Sequence, residues 1–63
     1  MDTMENGLPN DPLMLLSVVN TKLRDYYASL ELLCEDMHLS QEWLCEKLRA
    51  IDYEYDAAQN RFL

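Results

Sequence analysis

The sequence predicts a mainly α fold, a bundle of three short helices closed by a short C-terminal β-hairpin. Three observations predict it. Apolar residues recur at helical spacing in three separate stretches, each preceded by a residue suited to cap a helix. Beyond residue 50 that spacing gives way to strict alternation, the period of a strand. The length, 63 residues, holds one domain and one modest core, because a chain of this size hides only about 60% of the surface its unfolded form exposes. With 49% hydrophobic and 27% charged residues, one Gly and two Pro, the composition is that of a folding chain.

Residues 1–8 have no periodicity and contain the turn dipeptide Asn6-Gly7, so they read as a disordered N-terminal tail ahead of a single domain over residues 9–63. Pro9-Asn10-Asp11-Pro12 marks its start. Asp11 can accept a hydrogen bond from a free amide of the first turn, and Pro12 suits a first helical position that needs no amide donor. The first helix then runs to residue 25 or 26. Leu15, Leu16, Val19, Leu23 and Tyr26 share one stripe and form its core face. Six of the seven residues 13–19 are apolar, which leaves Leu13, Met14 and Val18 outside the stripe. Either Leu8 or the C-terminal segment packs over them, or Met14 and Val18 belong to an interface with a second copy. Lys22 and Arg24 complement the carbonyl end of the helix.

Ser29 caps a second helix over residues 30–37, with Leu30, Leu33, Cys34 and Met37 inward and Glu31 and Glu35 outward. Ser40 caps a third over residues 41–50, and Leu39 just before it can meet Leu44 as a hydrophobic staple. Leu44 and Leu48 face the core, Ile51 continues that face, and Trp43 lies on a flank. Ile51, Tyr53 and Tyr55 then alternate with Asp52, Glu54 and Asp56. Residues 56–60 can turn and residues 61–63 return, which gives the hairpin.

The stretch from Leu33 through Met37-His38-Leu39-Ser40 to Leu44, Leu48 and Ile51 resembles a helix-turn-helix. With a helix before it and a hairpin after, the outline resembles a miniature winged-helix domain. That family usually places Gly at the turn; here it is His38, a residue that tolerates left-handed geometry. A second resemblance covers nearly the whole chain. Leu8-Pro9-Asn10-Asp11-Pro12, Met14-Leu15-Leu16-Ser17-Val18-Val19-Asn20, Lys22-Leu23-Arg24-Asp25, Ser29-Leu30, Leu33-Cys34, Tyr53-Glu54-Tyr55-Asp56 and Gln59-Asn60-Arg61-Phe62 resemble short bacterial proteins catalogued as a domain of unknown function. Members often have Gly where this chain has Asp52. The resemblance implies the fold and a bacterial origin, and it carries no activity or site residue.

Charge narrows the partners. Twelve acids against five bases leave a net charge of −7, and no segment is basic. Nucleic-acid binders gather Lys and Arg to neutralise phosphates and release counterions. Here the would-be recognition helix presents Glu42 and Glu46, so nucleic acid is disfavoured and stands as the alternative reading. The acidic start MDTMENG lacks the basic region of a secretory signal. The longest apolar run, residues 13–16, is far short of the roughly 20 residues that span a bilayer. No membrane role is expected, and the chain reads as cytoplasmic, with Cys34 and Cys45 as thiols.

Sites for chemistry are weak. Cys34, His38 and Cys45 lack the fourth ligand of a structural zinc site. Asp52-x-Glu54-x-Asp56 opens like a calcium loop, but Ala57 and Leu63 stand where Gly and a bidentate Glu belong. His38 is the single histidine, and no spacing brings it against a serine or cysteine nucleophile. The pairs Glu31/Glu35 and Glu42/Glu46 lie on outward faces with no apolar pocket to split their pKa values. The glycine-rich phosphate loop is missing. The expectation is therefore a non-enzymatic protein without cofactor or metal, acting as a protein-interaction module. Its candidate contact residues are Met14 and Val18, for self-association, and Trp43 with Gln41, Glu42 and Glu46 as an acidic rim for a basic partner.

Overall fold

Each helix starts at the predicted capping residue. The computed structural model describes residues 4, 5 and 8–63, the first two by their backbone. Helix α1 spans Pro12–Asp25, with the Asp11 carboxylate accepting from the amides of Leu13 (2.9 Å) and Met14 (3.4 Å). Helix α2 spans Leu30–Met37 and helix α3 spans Gln41–Arg49, capped by Ser29 and Ser40 at 3.2 Å from the amides of Leu32 and Trp43. Each cap satisfies a first-turn donor that has no partner within its helix. His38 ends α2 with φ 56° and ψ 45°, and the amide of Leu39 reaches back to the Cys34 carbonyl at 2.9 Å. The left-handed residue lets the chain reverse between α2 and α3.

Strand β1 (Met4–Glu5) pairs antiparallel with β2 (Leu8–Pro9). The disordered segment expected over residues 1–8 lies in part outside the described residues. Within them, Leu8 is fully buried and β2 lies against α1. The packed unit thus includes Leu8, because its side chain has an apolar face of α1 to cover. Strands β3 (Tyr55–Asp56) and β4 (Arg61–Phe62) form the C-terminal hairpin, with Tyr55 opposite Phe62 and Asp56 opposite Arg61. Glu54 and Leu63 extend the ladder by exchanging backbone hydrogen bonds at 3.1 and 2.9 Å.

The core is Leu8, Leu15, Val19, Leu23, Leu30, Leu33, Cys34, Leu44, Leu48 and Phe62, and among the described residues no polar or charged side chain is buried. Helix α1 is its centre, touching β2, α2, α3 and β4. Leu16, Val18, Met37, Leu39, Trp43, Ile51, Tyr53 and Tyr55 are partly buried against it. The expected core stripe of α1 is corrected at one position. Tyr26 is 74% exposed, because it is the C-cap, with φ −126° and ψ −28°, and its side chain leaves the helical wheel before completing the stripe. Among the described residues no helix is long and apolar enough to cross a membrane.

The hairpin is fastened by side chains rather than by further strands. Because Glu54 and Leu63 are the hydrogen-bonded pair, the N–H and C=O of Phe62 point away from β3. Asn20 of α1 meets both groups. Its Oδ1 accepts from the Phe62 amide at 2.8 Å, and its Nδ2 donates to the Phe62 carbonyl at 3.1 Å. One asparagine thus does for β4 what a neighbouring strand would do. Asn60, at φ 53°, donates from Nδ2 to the carbonyl of Leu23 in the last turn of α1 (3.1 Å) and to that of Tyr27 just beyond it (3.0 Å). The Tyr55 hydroxyl donates to Asn60 Oδ1 at 2.5 Å and accepts from the Leu30 amide at 3.3 Å. The C-terminus of α1, the hairpin and the N-terminus of α2 are therefore joined in one hydrogen-bonded chain. The rings of Tyr55 and Phe62 pack above it, centroids 5.5 Å apart.

Candidate interaction surfaces

A concavity of about 560 Å³ lies between α1 and the hairpin, with Ser17, Thr21, Arg24, Gln59 and Arg61 among its walls. Asn20 and Asn60 also line it, but their amides hold the hairpin. Arg24 is held by its neighbour Asp25, Nε to Oδ1 at 2.9 Å and a second guanidinium nitrogen to Oδ2 at 3.0 Å. That pairing raises the guanidinium pKa and lowers the carboxyl's, in both cases chiefly through the hydrogen bond. Among the described residues, no histidine, cysteine or carboxylate lines this cleft.

The predicted contact residues fall on two elements. Gln41, Glu42 and Glu46 come together on α3, where with Cys45 and Arg49 they wall a shallow groove of about 440 Å³. Trp43 does not line it. Its ring is half-buried against the core, with the Lys47 ammonium 5.9 Å from the ring centre. Of the expected rim, Glu46, three residues on, lies on the same side of α3 as Trp43, while Glu42, immediately before Trp43, points about 100° away around the helix. On α1, Met14 is 51% exposed and Val18 is partly buried against the core. Leu13, at 64%, is likewise left uncovered by Leu8 and the hairpin.

A third surface, missed in the sequence, lies where α1 gives way to α2. Tyr26, Tyr27, Leu32, Glu35, Asp36 and His38 wall a concavity of about 470 Å³. The Tyr27 hydroxyl donates to Asp36 Oδ2 at 2.5 Å, which pushes the phenol's pKa up. One signal was available: Leu32 is an apolar residue on the outward face of α2, and it is 50% exposed. The other, Tyr26, was masked by its apparent place on the core stripe.

The groups considered for metal or acid–base work have structural surroundings. Among the described residues, no three of His, Cys, Asp and Glu gather as a ligand set. Burial pushes the thiols of Cys34 and Cys45 above their ordinary value; Cys45 adds to the rise at Cys34, and Arg49 opposes it at Cys45. Both thiols are poor nucleophiles at neutral pH. Asp56, the last carboxylate of the calcium-like run, accepts from the amides of Ala58 (2.9 Å) and Gln59 (3.4 Å) and so fixes the hairpin turn.

Neither the curated proteins nor the solved structures contain a match to this chain. Residues 9–62 match the sequence model of a family described as Domain of unknown function (DUF4250). That span takes in α1, α2, α3 and the hairpin with its Asn20, Tyr55 and Asn60 fastenings, and the chain belongs to this family.

Proposed function

We propose that the chain is a small, non-enzymatic protein-interaction module whose acidic surface docks a basic protein, in the bacterial cytoplasm that the resemblance implies. One observation carries the reading. Leu13, Met14, Tyr26 and Leu32 stand 50–74% exposed on a molecule whose core is already closed and whose net charge is −7. Exposed apolar groups among carboxylates suit a partner that brings apolar contact and positive charge together.

Nucleic-acid binding is the second reading. The order of α2, the left-handed His38 turn, α3 and a hairpin favours it, as the outline of a small winged-helix domain. Against it, Glu42 and Glu46 line the α3 groove, where each carboxylate would repel a phosphate.

Copurification of the tagged chain from its own cell at low salt tests the choice. The expected result is one stoichiometric basic protein, released by high salt and lost when Met14→Glu is combined with Glu42→Lys and Glu46→Lys. Retention that nuclease abolishes would favour the second reading, and a chain recovered alone would overturn the first. Sedimentation over a concentration series separates a further outcome. A dimer abolished by Met14→Glu would assign Met14 and Val18 to a second copy.

A further inference from the structure

We infer that the corner between α1 and α2 is a recognition site for an arginine or lysine side chain carried on a basic segment of a protein partner. The inference rests on the interaction role proposed above and gives it an address. Tyr26 leaves α1 as its C-cap and stays 74% exposed. Tyr27 packs partly on the core and its hydroxyl holds Asp36. Leu32, on the outward face of α2, is 50% exposed, and Glu35 follows three residues later, on the same side of the helix. Together with His38 these five residues wall one concavity.

The parts match the two ends of a long cationic side chain. Its methylene stem can lie along Leu32 and the tyrosine rings, while its charged head meets ring faces and carboxylates. A tyrosine ring here already attracts a cation, since the Lys22 ammonium stands 5.8 Å from the centre of Tyr26. Arg24 is paired with Asp25, and His38, which also lines the concavity, stands with Lys22 as a basic group that a cationic ligand must share the corner with. Asp36 is oriented by Tyr27 before any ligand arrives, which lowers the ordering cost of binding. An anionic ligand would be repelled by Glu35 and Asp36. A neutral apolar segment would strip water from both carboxylates and return no partner.

The test is an amide-shift titration of the full chain by NMR with a capped peptide, Gly-Arg-Gly-Arg-Gly, its lysine counterpart, and the same peptide with neutral citrulline in place of arginine. The expected result is saturable shifts confined to the amides around Tyr26, Tyr27, Leu32, Glu35 and Asp36 with the cationic peptides, and none with citrulline. Tyr26→Ser and Glu35→Gln should each weaken binding by about tenfold, the order of one cation–π contact or one charge pair freed from water. Both side chains are exposed, so both variants keep the fold. Shifts spread over Glu42, Glu46, Asp52 and Glu54 as well, or binding indifferent to Tyr26→Ser, would mean diffuse charge attraction and overturn the site. Absence of shifts would do the same. The copurification above separates the two claims. A basic partner retained by Tyr26→Ser leaves the interaction role standing without this site, and localised peptide binding without a cellular partner leaves the site without the role.

Discussion

Asn60 is the side chain on which the joint between helix one and the hairpin turns, and its replacement tests the joint most severely. It makes three hydrogen bonds, donating to the carbonyls of Leu23 and Tyr27 and accepting from Tyr55, and it holds a φ of 53°. At about 0.5–1.5 kcal/mol for each bond, the bonds contribute about 3 kcal/mol together. The left-handed backbone costs an alanine roughly 1 kcal/mol more than a glycine. Asn60→Ala should therefore lose about 4 kcal/mol and Asn60→Gly about 3. A domain of this length has roughly 3–9 kcal/mol in all, so the alanine variant should approach the unfolding threshold. Urea denaturation followed by circular dichroism measures both losses. With a slope near 1 kcal/mol per molar for so small a domain, the midpoint should fall by about 3 M or more. Two results would refute the reasoning. Both variants within about 0.5 kcal/mol of the parent would mean that the bonds contribute nothing. A glycine variant as stable as the parent beside a weakened alanine variant would mean that only the backbone angle matters.

Asn20→Ala removes both partners from the backbone of Phe62 and should cost about 2 kcal/mol in the same assay, with Asn20→Asp recovering only the bond from the Phe62 amide. Asp52 sits at φ 67°, a left-handed backbone that favours glycine, so Asp52→Gly should gain about 0.5–1 kcal/mol, the relieved strain less the entropy of a freer unfolded chain. The thiol pKa values of Cys34 and Cys45 are raised by burial from an ordinary value of 9.0, so the folded chain keeps protons that the unfolded chain gives up. Stability should be flat below about pH 9 and fall as pH rises toward the raised values. Cys34→Ala should flatten that fall, whatever its own cost in packing.

The helices were legible because their signals are local. Asp11, Ser29 and Ser40 each stand one residue before the apolar periodicity begins, and each accepts first-turn amides in the structure. The alternation of Ile51, Tyr53 and Tyr55 with their acidic neighbours pointed to the hairpin but began too early: Ile51 and Asp52 turn back on α3, with Asp52 at φ 67°, and the strand proper is Tyr55–Asp56. What binds the hairpin down was not legible. Asn20 and Phe62 are 42 positions apart, Asn60 and Leu23 are 37 apart, and no periodicity links an asparagine to a distant carbonyl. Residues that carried the family resemblance, Asn20, Tyr55, Asn60 and Phe62, prove to be parts of this joint. They therefore bear on architecture before they bear on function. Tyr26 failed for a different reason: a helical wheel assumes that the helix continues, and the chain leaves it there. The α1–α2 concavity went unseen as a consequence, because one of its walls had been assigned to the core.

The hairpin is a fastened part of the core rather than a free arm. Amide hydrogen exchange at Phe62 and Leu30 measures this most directly. Both should exchange only with global unfolding, at the same free energy as the amides of Val19 and Leu23. Exchange at Phe62 orders of magnitude faster than at Val19 would contradict it, since the hairpin would then be opening while helix one stays intact.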